Sequence, residues 1–134
     1  MVRGRQTVLV VEDEALIRAD IVDALEEAGF KVIEAANADE AICILEARAD
    51  IRVVFTDVDM PGSMGGIRLA ACIQDRWPPV KLIITSGHVA VQDSDIPTGG
   101  RFFRKPYAAT EIVSATTAMM LDGFALSREP TPRV

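Results

Sequence analysis

Thr7-Val8-Leu9-Val10-Val11-Glu12-Asp13-Glu14 decides the reading of this chain. Thr7 to Val11 is a continuous run of β-branched residues and Leu with no polar alternation. Such a run predicts a strand buried on both faces, as in a parallel sheet covered by helices. Glu12, Asp13 and Glu14 follow at once, so the strand opens directly into a dense group of acids. A helical pattern then takes over: Leu16, Ile17, Ile21, Ala24, Leu25 and Ala28 recur at three and four, predicting a helix over Glu14 to Ala28 stopped by Gly29.

The same alternation of strand and helix repeats along the chain. Phe30 to Glu34 reads as a second strand. Asn37 is an N-cap with Glu40 three residues on, opening a helix over Ala38 to Ala47. Ile51 to Thr56 reads as a third strand, Gly62 to Gly66 as a loop, and Ile67 to Arg76 as a helix ended by Trp77-Pro78-Pro79. Val80 to Ile84 is a fourth strand. Val89 to Gly100 holds only a short or irregular helix. Arg101 to Phe103 is a short fifth strand, and Ala108 to Leu121 a last helix whose β-branched residues require packing to hold it. Strands spaced by helices imply βαβ units, a mostly parallel sheet and an α/β fold. The expected organisation is an extension over 1–6, one domain over 7–122 and a flexible tail or linker stub over 123–134.

Composition bounds the function. The chain has 134 residues, 49% hydrophobic and 25% charged, which suits one folded domain. Its formal charge of -6 excludes a broad nucleic-acid footprint, which needs a dense basic patch. No apolar run approaches the roughly 20 residues that span a bilayer. No signal peptide is visible, so a cytoplasmic location is expected. Cys43 and Cys72 fall in helical segments and read as reduced, buried or half-buried thiols.

In open parallel sheets, ligands bind outside the carboxyl ends of the strands. Glu12 and Asp13 follow the first strand, Asp57 and Asp59 the third, Thr85, Ser86 and Gly87 the fourth, and Lys105-Pro106 the fifth. Any one of these is ordinary turn chemistry; together they converge on one edge. Carboxylates of Asp13 and Asp57 on neighbouring strand ends repel unless a cation compensates. An all-oxygen set suits Mg²⁺ (or Mn²⁺), Lys105 adds a mobile positive charge, and Thr85 adds a hydroxyl. This collection suits transfer of a phosphoryl group onto a carboxylate oxygen.

These residues resemble the receiver (response-regulator) domain of two-component signalling. The matching pieces are Val8-Leu-Val-Val-Glu-Asp-Glu14, Phe55-Thr-Asp-Val-Asp-Met-Pro61, Ile84-Thr-Ser-Gly87 and Phe102-Phe-Arg-Lys-Pro106, in order, over about residues 6 to 122. The resemblance implies a flavodoxin/CheY-like (βα)5 three-layer sandwich with a five-stranded sheet in the order 2-1-3-4-5. It implies Asp57 as phospho-acceptor, Glu12, Asp13 and Asp57 as metal ligands, and the backbone carbonyl of Asp59 as a further one. Thr85 is the implied switch hydroxyl, Lys105 the phosphate-binding lysine, Phe102 the aromatic switch and Lys105-Pro106 a cis peptide. The implied donor is a sensor histidine kinase or histidine phosphotransfer protein. The implied recipient is a downstream protein or a missing output domain, with the chain a monomer or weak dimer and no enzyme on an external substrate.

The chain departs from the family pattern in three places. The loop Gly62 to Gly66 is one residue longer than the commonest form, with Gly65 where an Asp is frequent. Asp59 sets a second carboxylate beside the acceptor. Pro97 to Tyr107 resembles a receiver subset with a reshaped signalling face. Three rival functions remain: a non-phosphorylated interaction module, a haloacid-dehalogenase-type phosphatase, and a nucleotide or flavin site. The phosphatase family places its nucleophile after its first strand and its metal-binding acids late, the reverse of the order here. Neither a phosphate loop nor a dinucleotide fingerprint is present. His88, the sole histidine, reads as a loop residue, Trp77 as a plug at the end of the third helix, and Met119 and Met120 as a packing stripe. Tyr107 is either a partner contact or a packing residue.

Overall fold

The computed structural model describes residues 6–59, 65–88 and 91–128. Five parallel strands form one sheet in the order β2-β1-β3-β4-β5. They are β1 (Thr7–Val11), β2 (Lys31–Ala35), β3 (Ile51–Asp57), β4 (Lys81–Ser86) and β5 (Arg101–Arg104). The helices are α1 (Ala15–Glu27), α2 (Ala38–Ala47), α3 (Gly66–Arg76) and α4 (Ala109–Arg128). Between β4 and β5 the described residues hold only a 3-10 turn, Asp93–Asp95. This is the flavodoxin/CheY-like (βα)5 arrangement with its fourth helix reduced to a turn. Among the described residues, no helix is long and apolar enough to cross a membrane.

Alternating strand residues supply two cores. Leu9, Val11, Val54, Leu82 and Ile84 pack against Ala41 and Leu45 of α2 and Leu69 and Ile73 of α3. Val8, Val10, Phe55 and Ile83 pack against Ile21 and Leu25 of α1 and Ile112 and Met119 of α4. The β1 run is buried at every position, as its unbroken apolar character demands. In β3 the alternation slips. Thr7 pairs with Ile51 but Val8 with Val53, so the exposed Arg52 is an extra residue at a bulge.

Several boundaries differ from the sequence reading for local reasons. Phe30 is not in β2, because its N–H closes the end of α1 on Leu25 O at 3.1 Å while Gly29 adopts φ +101°. Val80 turns back onto Trp77 O, which delays β4 to Lys81. β3 includes Asp57, and β4 includes Thr85 and Ser86, which the sequence reading placed just beyond the strand ends. Asn37 caps α2 as expected, accepting from Glu40 N–H at 2.8 Å, while the Glu40 carboxylate accepts from Ala36 N–H. The last helix runs beyond Leu121 to Arg128, into the segment expected to be a flexible tail. The hydroxyls of Thr116 and Thr117 bond back to Ile112 O and Val113 O, which accommodates that threonine pair in the helix. Cys43 is exposed rather than buried, and Cys72 is half-buried; both are free thiols. The lengthened loop at Gly62 lies outside the described residues, as do the extension over 1–5 and the end of the tail.

Candidate functional site

Four strand ends and one helix start build the site. Glu12 and Asp13 leave β1, and Arg18 of α1 reaches back to hold that turn. Its Nη1 donates to Glu12 O at 2.6 Å and its Nε to Glu34 at 3.0 Å. β3 brings Asp57 level with Thr85 of β4. Val58 N–H then donates to Thr85 O, and Lys105 N–H to Ser86 O, so the backbone bonding continues past the strands and fixes the spacing of the site. Lys105-Pro106 is a cis peptide.

Oxygen atoms of Glu12, Asp13 and Asp57 all lie within 4.8 Å of one another. Asp57 is 2% exposed. Its Oδ1 accepts from Asp59 N–H at 3.0 Å and its Oδ2 from Lys105 Nζ at 2.9 Å. Burial pulls the Lys105 pKa down, but the hydrogen bond and charge of Asp57, with Glu12 and Asp59, outweigh it and raise the pKa. Lys105 is therefore a fixed cation beside a buried carboxylate.

Glu12 carries the clearest sign of a site suited to a cation. Its side chain is fully buried; Oε2 accepts from Glu14 N–H at 3.1 Å, while Oε1 has no hydrogen-bond partner among the described residues. Burial, against the opposing backbone bond and with the added charge of Asp57, pushes its pKa up to about 7. A buried carboxylate oxygen without a partner, next to two more carboxylates, fits a hard divalent cation.

The other expected residues separate. Thr85 is buried at the site, and its Oγ1 has no partner in good hydrogen-bond geometry among the described residues. The Asp59 carboxylate is not part of the three-acid group, and its Oδ2 lies 3.9 Å from Lys105 Nζ. It accepts from Gly87 N–H at 2.7 Å, His88 N–H at 3.3 Å and Ser86 Oγ at 3.2 Å. Phe102 packs on the α2–α3 side of the sheet. His88 is exposed. Trp77 caps α3 and packs against the same side, with Arg76 over its ring. Met119 is buried in the α1–α4 core, with Met120 packed against it.

Two features, Arg18 and Gly66, escaped the sequence reading, whereas Tyr107 is packed, one of the two roles expected of it. Arg18 had no motif to announce it, since its partners lie on other elements. Gly66 was read as loop, yet a Cβ there would sit 2.5 Å from Asp57 O, so only glycine lets α3 start this close to the acceptor strand. Tyr107 puts its ring edge-on to Phe55, with centroids 6.2 Å apart, and buries its hydroxyl without a partner in good hydrogen-bond geometry among the described residues.

A doubly wound parallel sheet with three carboxylates and a lysine at its carboxyl edge defines a phosphotransfer signalling module. The chain belongs to the response regulator receiver domain family, whose model matches residues 8–117. It is 31% identical to the response regulator receiver protein CpdR of Brucella abortus over 85% of this chain and 96% of that one. It is 32% identical to the sensor kinase CckA of the same organism over 87% of this chain, but spans only 13% of that kinase. The crystal structure of a receiver protein from Sinorhizobium medicae superposes with a TM-score of 0.82 at 25% identity, covering 89% of this chain and 97% of that one. The matched segment thus belongs to a family of phospho-accepting receiver domains that modulate partner binding.

Proposed function

We propose that Asp57 is the phospho-acceptor and that the donor is a phosphohistidine on a sensor kinase or histidine phosphotransfer protein. The likeness to a receiver segment within a sensor kinase supports such a donor. The observation that carries the reading is the Asp57 carboxylate, buried, held by Lys105 at 2.9 Å and set within a group of acids. An oxygen of Asp57 attacks phosphorus in line, the P–N bond to the donor histidine breaks, and the nitrogen leaves with the bond's electron pair. Lys105 stays beside the carboxylate and neutralises charge on the transferring group.

Glu12, Asp13, Asp57 and the Asp59 backbone carbonyl would hold Mg²⁺ (or Mn²⁺). That cation supplies charge neutralisation at the phosphoryl oxygens. Thr85 then turns its hydroxyl toward a phosphoryl oxygen, and Phe102 adjusts on the opposite face, shifting the chain between pre-existing states. The free thiols of Cys43 and Cys72 fit a cytoplasmic location.

Intact-protein mass after acetyl phosphate treatment, with and without Mg²⁺, tests this. The expected result is a gain of one phosphoryl group that needs Mg²⁺ and is absent in Asp57→Asn. A wild type left unmodified by both acetyl phosphate and a phosphohistidine donor would overturn it in favour of a non-phosphorylated interaction module.

A further inference from the structure

Two buried hydroxyls sit beside the acceptor without a well-placed partner. Thr85 Oγ1 and Tyr107 Oη are both shielded from solvent, and among the described residues neither has a partner in good hydrogen-bond geometry, although the two hydroxyls interact with each other. Thr85 is close enough to oppose, in part, the rise in Tyr107 pKa caused by burial and by the charges of Glu12 and Asp57. Buried hydroxyls are normally paired, so two neighbours short of good geometry point to a state in which they reach it.

Sheet geometry places them together. Thr85 pairs with Phe103 and Ile84 with Phe102, and successive side chains alternate between faces. Ile83, Phe103, Phe55 and Tyr107 belong to the α1–α4 core, whereas Ile84 and Phe102 belong to the α2–α3 core. Thr85 therefore shares its face with Tyr107 and not with Phe102. The tyrosine is anchored on two sides. Its ring meets Phe55 edge-on, and it lies two residues after Lys105, which is bonded to Asp57.

Hydroxyl chemistry supplies the rest. Threonine has one proton to donate and lone pairs that accept. When its O–H donates a hydrogen bond to a phosphoryl oxygen, its lone pairs remain to accept one from a nearby donor. Tyr107, held protonated by its burial, is that donor. We propose that Tyr107 is a positioning residue for Thr85: with Asp57 phosphorylated, Thr85 Oγ1 donates to a phosphoryl oxygen and Tyr107 Oη donates to Thr85 Oγ1. The inference rests on Asp57 being the acceptor. It also gives the switch a second outlet. Tyr107 lines a cavity of about 260 Å³ with Ile17, Asp20, Ile21, Pro106 and Ala109, on the side of the sheet away from Phe102.

Beryllofluoride with Mg²⁺, a phosphoryl mimic, tests the pair without turnover. Its affinity is measured for wild type, Tyr107→Phe, Thr85→Ala and the double variant. Phe keeps the ring packing and removes only the hydroxyl. Tyr107→Phe is expected to weaken binding roughly three- to tenfold in wild type and not at all in the Thr85→Ala background. Thr85→Ser should restore the dependence on Tyr107. Tyr107 is the only tyrosine of the chain, so a ¹³Cζ-tyrosine label reports on it alone. Its resonance should move on beryllofluoride addition in wild type and stay in place in Thr85→Ala. Equal affinity of wild type and Tyr107→Phe, or an equal loss in both backgrounds, overturns the proposal and leaves the Asp57 assignment standing. A wild type that neither binds beryllofluoride nor gains a phosphoryl group overturns both.

Discussion

Lys105 Nζ lies 2.9 Å from Oδ2 of Asp57, a carboxylate that is 2% exposed. The lysine itself is 24% exposed, so its ammonium can meet an incoming phosphoryl group from its place beside the carboxylate. Lys105→Met removes the one cation bonded to Asp57 in a group with Glu12 and Asp13. Unfolding in urea should show a loss of about 1–3 kcal/mol in the absence of divalent cation, because a buried carboxylate is left unpaired. Phosphoryl uptake from acetyl phosphate should slow at least tenfold, as read by the time course of intact mass. Unchanged uptake would remove Lys105 from the mechanism.

The raised pKa of Glu12 makes stability depend on pH in the metal-free protein. An unfolded glutamate titrates near 4.5, whereas Glu12 in the fold titrates at about 7. Below pH 4.5 both states hold the proton on Glu12 and the contribution of this residue to stability is greatest. As pH rises through 7 the unfolded state gains by ionising first, so the fold loses on the order of 3 kcal/mol. Urea titrations with chelator at several pH values, wild type against Glu12→Gln, isolate this window. The difference between the two should change between pH 4.5 and 7 and level off above it. Millimolar Mg²⁺ should return the lost stability to wild type at pH 7.5.

Asp59 and Asp13 should part company in metal binding. The Asp59 carboxylate is spent on Gly87 N–H, His88 N–H and Ser86 Oγ. Asp13 contributes to the three-acid group instead. Calorimetric Mg²⁺ titration should show Asp13→Asn weakened by roughly tenfold or more, the scale of losing one charged ligand. Asp59→Asn should lie within about threefold of wild type. The reverse order would place the Asp59 side chain on the metal.

Gly66→Ala tests how tightly α3 is set against the acceptor strand. Its new Cβ would fall 2.5 Å from both Asp57 O and Val58 Cα, and backbone atoms cannot step aside as a flexible side chain would. A loss of about 1–3 kcal/mol in urea is expected, together with slower phosphoryl uptake as Asp57 shifts. Gly65→Ala is the matched control, because a Cβ there meets nothing within 4 Å among the described residues.

The strand-and-helix order was legible because burial leaves a period in the residues. The unbroken run at Thr7 to Val11 could only be a strand covered on both faces, and it is buried throughout. Asn37 announced its helix because its capping bond is local, to Glu40 N–H. The acids and Lys105 were legible as a set because a parallel sheet gathers its strand ends on one edge. Local sequence could not announce Arg18, whose partners Glu12 and Glu34 lie across three elements. Nor could it announce the bulge at Arg52, which exists only in the pairing of β3 with β1.

Residue order and periodicity thus settled which chemical groups reach the active edge, since both depend on near neighbours along the chain. Direction and distance came only with packing. The Asp59 carboxylate accepts from the Gly87 and His88 N–H groups of the turn after β4, a pairing across 28 and 29 residues that no local stretch announces. Thr85 and Phe102 part to opposite faces because Phe102 pairs with Ile84, one residue short of Thr85. That register, absent from any single stretch of sequence, is what sets Tyr107 and not Phe102 beside the buried threonine.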